Sequence, residues 1–270
     1  MSSAPRIDSP RNAYVRFFRS LQSPKGRREH CAFLAENPRV IAEALAAGWE
    51  IVAAAVCEEL VRPAGRDVAE ALRHGPWRCV EVSERAFMAL STEQNPQGVA
   101  VACRCRRVPL SEIVLRADSI VVAAWDIADP GNMGAIIRTA EFLGCSAVAV
   151  TPGSVDPFEP KTVRATAGAI FHIPIVEAEG AHILAWARHS GAAILATAPV
   201  GGLPPEQLPG TLGPTVVLFG SEAHGLPPDV VNAASQKITI ARRGKTESLN
   251  VAVAAGIVLS HLLANRCAQR

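Results

Sequence analysis

Short apolar runs alternate with amphipathic stretches along the C-terminal half of the chain, and turn residues separate them. Six of these runs predict β-strands: SIVVAAWD, SAVAVT, AIFHIPIVE, AAILATA, TVVLFG and KITIA. Helical spacing of apolar residues predicts helices at 132–143, 160–168, 181–190 and 248–264. Apolar strands that alternate with helices indicate an α/β fold whose mostly parallel sheet is covered on both faces.

The N-terminal part shows the same alternation on a smaller scale. Helices are predicted at 38–47 and in DVAEALRHG, and strands in EIVAAAVC, WRCVEV and GVAVACRC. The charged, proline-containing stretch RCRRVPLSEI marks a boundary after this α/β unit. We therefore predict three parts, which are a basic N-terminal arm over 1–28, a small domain over 29–107 and a larger domain over 108–270.

Composition narrows the class of protein. The 270 residues are 49% hydrophobic, enough for one large or two ordinary domains with real cores. No uninterrupted apolar stretch of about 18 residues is present, so no membrane span is expected. Seven cysteines without a framework spacing favour reduced thiols in a cytoplasmic protein. Cys103 and Cys105 have no partner pair at ligand spacing, so no metal is expected.

Positive charge is concentrated at the front of the chain. Residues 1–107 contain 16 Lys and Arg against 12 Asp and Glu, whereas residues 108–270 contain 11 against 13. This asymmetry favours a polyanion as partner of the front half, although arginine-rich genome composition also fits it. Lys25, Arg27 and Arg28 lie in a stretch with few apolar residues, so we expect them to be exposed and to contact phosphate groups of such a partner.

Polar clusters follow four of the predicted strands. They are DIADPGN, TAPVGG, FGSEAHGL and ARRGKTESLN. Because ligands of parallel sheets bind at the carboxyl ends of strands, these clusters predict one site. The glycine-rich dinucleotide fingerprint, the phosphate-binding loop and the zinc-protease motif are all missing from the sequence, which argues against those enzyme classes.

Arg138 stands out in the phrase DPGNMGAIIRTAEFLG. It lies off the apolar stripe of its predicted helix, and the preceding Gly134 and Ala135 leave the first turn bare. A long side chain there can reach a ligand at the helix start. The alternative is an ion pair with Glu141 at i,i+3, which contributes only about 0.2–0.5 kcal/mol.

Three phrases in this order, DPGNMGAIIRTAEFLG, VVLFGSEAHGLP and ITIARRGKTESLNVAVAAGIVL, resemble the three motifs of the SpoU (TrmH) family of RNA ribose 2′-O-methyltransferases, in the SPOUT superfamily. Taken singly, each has a purely structural explanation, such as helix capping by Asn132 or Ser248. The front half is similar to that family's ribosomal-protein-like RNA-recognition domain. There Asn37 stands where a glycine is commoner.

The resemblance implies S-adenosylmethionine as cofactor, a C-terminal trefoil knot in the parallel sheet, a homodimer, and no metal. It also implies methylation of a ribose 2′-OH in structured RNA, with ribosomal RNA favoured by the two-domain layout. Transfer RNA is the alternative within the class. A non-catalytic RNA-binding or ribosome-assembly protein on the same fold is the alternative outside it.

The resemblance also assigns roles to residues. It places Arg138 beside the target ribose, either as the base or as an electrostatic and positioning group. The second role fits the chemistry more easily, because a guanidinium group stays protonated in proteins. Asn132 orients Arg138 or the ribose, and Glu222 braces its loop. Ser248 and Asn250 line the same pocket. The positions matched to cofactor binding are Thr197, Gly220, Ile240 and Leu249. Arg164 is matched as a contact to RNA phosphate, and the alternative is a solvated helix arginine.

Overall fold

A computed structural model of the chain describes residues 6–210 and 212–267. Residues 1–5 of the predicted arm, and residues 211 and 268–270 of the predicted C-terminal domain, lie outside this description. The helices are α1 Ala13–Ser20, α2 Pro24–His30, α3 Pro38–Ala46, α4 Arg66–His74, α5 Glu84–Leu90, α6 Pro130–Phe142, α7 Pro160–Ala165, α8 Gly180–His189, α9 Pro228–Ala233 and α10 Val251–Cys267. The strands are β1 Ala32–Glu36, β2 Ile51–Val56, β3 Arg78–Glu81, β4 Val99–Arg104, β5 Ile120–Ala124, β6 Ala147–Val150, β7 Ile175–Glu177, β8 Ala193–Thr197, β9 Thr215–Phe219 and β10 Gln236–Ile238.

The chain folds into two units. The first runs to residue 106 and also takes residues 156–171, and the second contains residues 107–155 and those from 172 onward. Segment 156–171 joins the first unit through aromatic packing. The Phe33 ring lies 5.0 Å from the ring of Phe158 and 6.0 Å from that of Phe171. The first unit is therefore discontinuous in sequence, and its second segment lies inside the predicted C-terminal domain.

The first unit is built on a mixed four-stranded sheet in the order β1-β4-β2-β3. β4 pairs antiparallel with both β1 and β2, whereas β2 and β3 are parallel. Asn37 precedes α3 with φ of 80°, a region that favours glycine, and its side chain accepts a hydrogen bond from the amide of Arg39 at 3.0 Å. Through this bond Asn37 caps α3, which gives the asparagine a structural role at this position.

The predicted arm is wrong for its described residues, because it is folded into the first unit. Val15 and Phe18 of α1 and the following Leu21 are fully buried in one cluster with Phe87 of α5. These apolar residues recur at i, i+3 and i+6, so one side of α1 packs into the core although its other side is basic.

The predicted exposure of Arg27 is also wrong, since its side chain is only 2% exposed. Its Nε and Nη2 atoms each lie 2.7 Å from Oδ2 of Asp156, and Nη1 donates to the carbonyls of Leu21 and Gln22 at 3.1 and 3.2 Å. These acceptors offset the loss of hydration around the guanidinium. Lys25 and Arg28 on the same helix are exposed, as predicted.

The second unit contains a parallel six-stranded sheet in the order β10-β8-β9-β5-β6-β7. Every residue of β5 and β9 is buried, as expected for strands covered on both faces. Val121 and Ala123 pack towards α8, while α6 and α10 pack against each other. The predicted parallel sheet is confirmed, and every sequence run predicted as a strand contains one.

Some elements differ from the prediction. In AIFHIPIVE only Ile175–Glu177 forms a strand, because Ala169–Phe171 forms a 3-10 turn buried in the first unit. Five short elements, α1, α2, α5, α9 and β1, were not predicted from the sequence. In the described ranges, no helix has the length and hydropathy needed to cross a bilayer.

Candidate active site

A chain of side-chain hydrogen bonds connects three distant parts of the second unit. Nδ2 of Asn250 donates to Oδ1 of Asn132 at 2.8 Å, and Nδ2 of Asn132 donates to the carboxylate of Glu222. Each residue belongs to a different one of the three phrases singled out in the sequence. Asn132 can serve both neighbours because an amide side chain carries an acceptor and two donors. We call these residues the amide relay.

Asn132 is free for this role because another residue caps its helix. Oδ1 of Asp129 accepts a hydrogen bond from the backbone amide of Asn132 at 2.7 Å, and Pro130 occupies the first helical position. The purely structural explanation of Asn132 as a cap is therefore wrong. Asp129, which was not selected from the sequence, sets where α6 begins and thereby where Asn132 lies.

Asn250 has two roles at the start of α10. Its Oδ1 accepts hydrogen bonds from the amides of Ala252 and Val253 at 2.9 and 3.2 Å, which caps the helix, while its Nδ2 reaches Asn132. Ser248, two residues earlier, is exposed and makes no hydrogen bond with the residues that the structure describes. The structure brings Asn250 into the relay and leaves Ser248 out of it.

Glu222 belongs to a tight loop after β9. The amide of Gly225 donates to the carbonyl of Ser221 at 2.9 Å, and the amide of His224 donates to Oγ of Ser221 at 3.2 Å. A Cβ added at Gly220 would lie 2.3 Å from the carbonyl carbon of Gly225, so this glycine is required by the closure of the loop itself.

The Glu222 loop borders a cleft of about 460 Å³ in the second unit. Asp126 lies two residues after the end of β5, borders the same cleft and has a left-handed backbone with φ of 53°. Asp126 was not selected from the sequence either. The available signal was a polar residue close behind a buried strand.

The positions matched to cofactor binding lie at one edge of the sheet. Thr197 ends β8, Gly220 directly follows β9, and Ile240 lies two residues after β10. Since these three parallel strands are neighbours, their carboxyl ends meet, as the sequence predicts. Leu249, beside the relay residue Asn250, has half of its surface exposed. Apolar side chains predominate in the walls of small-molecule sites, so Leu249 fits the wall expected at this position.

Arg138 is not part of the amide relay. It follows Asn132 by six residues, which places it about 120° away around the helix axis. Its side chain is exposed and forms no ion pair with any residue of the described ranges, so the alternative pairing with Glu141 is not formed. Phe142, one turn further along the same side of α6, is 83% exposed.

Arg164 belongs to the first unit. Its Nη1 lies 3.6 Å from Oε1 of Glu93, and 37% of its side chain stays exposed. Burial raises the pKa of the Glu93 carboxyl, and the nearby Glu36 adds to this effect, while Arg164 opposes it. The ion pair therefore lies at the edge of a partly buried acidic cluster. The exposed side of the guanidinium remains open to a ligand.

The geometry of the second unit and its sequence define the class of protein: the chain belongs to the SpoU rRNA Methylase family, whose model matches residues 119–260. Residues 12–101 match a second model, described as an MRM3-like substrate binding domain. The two matched segments lie on either side of the boundary predicted from the sequence.

Individual relatives match almost the full chain. The 23S rRNA (guanosine(2553)-2′-O)-methyltransferase RlmP of Bacillus subtilis is 29% identical over 95% of this chain and 98% of its own. The 23S rRNA (uridine(2479)-2′-O)-methyltransferase of Streptomyces viridochromogenes is 27% identical over 99% and 95%. An AdoMet-bound rRNA methyltransferase from Sinorhizobium meliloti is similar in structure, with a TM-score of 0.86 and 32% identity over 96% and 97%.

Proposed function

We propose that this protein transfers a methyl group from S-adenosylmethionine to a ribose 2′-OH of ribosomal RNA. The observation that carries the proposal is the amide relay. Residues from three separate family motifs, Asn132, Glu222 and Asn250, are in direct hydrogen-bond contact. A shared reaction site requires its polar groups to be held at one point, and this contact brings one residue of each motif to such a point. The nearly full-length relatives, which are 23S rRNA methyltransferases, support ribosomal over transfer RNA.

The sheet edge of the second unit fits the cofactor. When bound, S-adenosylmethionine supplies a methyl group on a sulfonium sulfur, an electrophile that needs no metal. Backbone groups beside Thr197 and Gly220 hold the polar parts, and Ile240 and Leu249 form apolar walls for the adenine. The Glu222 loop, closed on itself through Gly220 and Gly225, is a preorganised element for this binding.

Arg138 acts on the RNA side of the reaction. Its guanidinium stays protonated, so the role that fits its chemistry is to hold a target phosphate and stabilise the forming alkoxide. Asn132, whose Oδ1 and Nδ2 atoms are both held by hydrogen bonds, positions the ribose. Transfer to a hydroxyl then depends on alignment and charge stabilisation more than on a strong base. Ser248, exposed next to Leu249, contributes a hydroxyl to the same pocket.

We also infer that the working form is a homodimer. Phe142 on α6 and Val253 on α10 are exposed apolar residues on two helices that pack against each other. A second copy seated on this face covers them and lies beside Arg138, which shares one side of α6 with Phe142. We further propose the C-terminal trefoil knot that the family resemblance implies.

The basic loop before α10 and the first unit are the proposed RNA contacts. Arg242, Arg243 and Lys245 are all exposed in that loop. Lys25, Arg28 and the open side of Arg164 serve the same purpose in the first unit, which matches a substrate-binding domain. We propose the cytoplasm as the location, because free cysteines are typical of a reducing compartment.

The test is to map 2′-O-methyl groups in RNA from a strain that lacks the gene. Mass spectrometry should show one missing ribose methylation in ribosomal RNA, restored by the wild-type gene and not by Arg138→Ala. The purified full chain should also bind S-adenosylmethionine in calorimetry. A missing methyl group in transfer RNA selects the alternative substrate. Unchanged methylation in both RNA classes, or no cofactor binding by the folded chain, contradicts the proposal.

A further inference from the structure

The first unit contains a groove whose lining includes no residue of the amide relay. It has a volume of about 340 Å³ and opens where β2 and β3 begin. Two of its walls are indole side chains, those of Trp49 and Trp77. The complete lining consists of Leu45, Gly48, Trp49, Glu50, Ile51, Pro76 and Trp77. We refer to these residues as the tryptophan groove.

Both indoles are fixed in orientation by the protein. Nε1 of Trp49 donates to the carbonyl of Arg104 at 2.8 Å, and Nε1 of Trp77 donates to the carbonyl of Leu72 at 3.0 Å. A Cβ added at Gly75 would lie 2.1 Å from Cζ2 of Trp77, so one side of this ring rests on the backbone of Gly75. Since the N–H groups are already satisfied, the rings offer a ligand only their π-surfaces and edges.

Positive charge borders the groove. The guanidinium carbon of the exposed Arg106 lies 4.6 Å from the ring centroid of Trp49. Nε of Arg104 lies 3.1 Å from the carboxylate of the lining residue Glu50, so the one acid of the groove is already paired. The groove therefore combines aromatic walls with a cation that is exposed and can meet a phosphate. Proteins bind single-stranded nucleic acid with the same combination of stacking surface and charge.

We propose that the tryptophan groove binds an unstacked nucleobase of the RNA substrate, stacking it on Trp77 beside Trp49 while Arg106 holds the neighbouring phosphate. The proposal rests on the proposed function, because it requires RNA as the ligand. Stacking of this kind is tolerant of sequence, since every base has a π-face and the indole N–H groups are already used. The groove then adds affinity for a looped-out nucleotide without selecting which base that nucleotide carries.

Two probes separate stacking from phosphate attraction. They are an oligoadenylate and an abasic ribose-phosphate oligomer of equal length and equal charge. The full-length protein should bind the oligoadenylate about 5- to 150-fold more tightly, the range that one stacked base provides. Trp77→Leu should reduce this preference to near unity, and Trp77→Phe should keep most of it. Arg106→Ala should weaken the binding of both oligomers.

The controls keep the outcome interpretable. Trp186→Leu removes a tryptophan from α8 of the second unit and should leave the preference intact. Circular dichroism and denaturant unfolding check that each variant is folded. Trp49 is not substituted, because its ring packs 5.3 Å from that of the buried Phe171.

Equal affinity of the wild type for the two oligomers overturns the groove proposal, and so does an undiminished preference in Trp77→Leu. If the wild type methylates ribosomal RNA in either case, only the groove proposal fails. A wild type that binds RNA without methylating it contradicts the proposed function instead.

Discussion

The side chain of Asn250 donates a hydrogen bond to the side chain of Asn132 across 118 positions of sequence, at 2.8 Å. The two residues lie in the first turn of α6 and at the N-cap of α10, so the bond brings two helix N-termini together. The partial positive charge of both helix starts favours negative charge nearby. The carboxylate of Glu222, which accepts from Asn132, is the negative group placed there.

The two roles of Asn250 can be separated by substitution. Asn250→Ala removes both the cap and the relay contact, so we expect the free energy of unfolding to fall by about 1 kcal/mol and methyl transfer to be lost. Asn250→Ser keeps a capping oxygen, but its shorter side chain does not reach Asn132. It should therefore retain near-normal stability and still lose activity. Chemical denaturation and methylation of ribosomal RNA measure the two effects. Full activity in Asn250→Ser contradicts a role for the relay.

Arg138→Ala should abolish methyl transfer while leaving S-adenosylmethionine affinity nearly unchanged, since the matched cofactor positions lie on other loops. Arg138→Lys should also fail, because a point charge does not replace a planar fork. Glu141→Gln is the matched control and should behave as wild type. Activity assays together with calorimetry test this. Normal turnover by Arg138→Ala returns this residue to a structural role.

Arg27 should matter for stability. Arg27→Ala leaves the carboxylate of Asp156 without its main partner, so we expect a loss of about 3–5 kcal/mol in the free energy of unfolding. Arg28→Ala, one residue along the same helix and exposed, should change it little. Denaturant titration of the two variants tests the difference. Similar stabilities for both would mean that the buried ion pair contributes little.

Lys25 and Arg28 should act on RNA affinity through phosphate. Replacing both with alanine should weaken RNA binding and flatten its dependence on salt, by about 0.7 in the log–log slope per lost contact to single strands. Preference among RNA sequences should barely change, because phosphate contacts position without specifying. Binding measured over a salt series, with Arg188→Ala in the second unit as comparison, gives the slopes. Parallel lines of equal affinity would exclude α2 from the RNA contact.

Glu93 should make stability depend on pH. Its pKa in the folded protein is raised above the ordinary 4.5, mainly by burial, so the folded state holds this proton more tightly than the unfolded state. The free energy of unfolding should therefore fall as the pH rises from 4.5 through the raised value. Glu93→Gln carries no ionisable group at this position, so its free energy of unfolding does not fall for this reason as the pH rises. The variant should therefore be more stable than wild type at neutral pH. Denaturation at acid and neutral pH, with the exposed Glu29→Gln as control, measures it. A destabilised Glu93→Gln at neutral pH would show that the Arg164 attraction dominates.

The sequence predicted the structure best where a local pattern of apolar and polar residues is enough to define an element. The buried strands β5 and β9 are continuous apolar runs, and the loops after them carry the polar clusters that form the site. Asn132, Glu222 and Asn250 were selected through motif resemblance, and the structure brings them into contact. The sequence offered Ser248 as the cap of the last helix, whereas Asn250 caps it, because α10 begins at Val251 and both residue types can cap a helix.

Long-range packing explains the incorrect predictions. The stretch around Arg27 is rich in charge, and nothing local indicates that Asp156, 129 positions away, lies against it. The apolar spacing of Val15, Phe18 and Leu21 does indicate a packed helix, but the basic residues between them suggested a free arm. The apolar residues of segment 156–171 are compatible with packing in either unit. The segment belongs to the first unit because it contacts Phe33, and the spacing of apolar residues along the sequence does not indicate this contact.

The discontinuity of the first unit limits how this protein can be recombined. A recognition domain that ends at a single boundary can be exchanged between enzymes by one crossover near residue 107. Here Phe158 and Phe171, which complete the core around Phe33, are encoded beyond β6. A chimera that takes only the front segment inherits an open core, and a ribosome making this chain cannot finish the first unit until residue 171 has emerged. An exchange of this domain between genes must therefore include both segments.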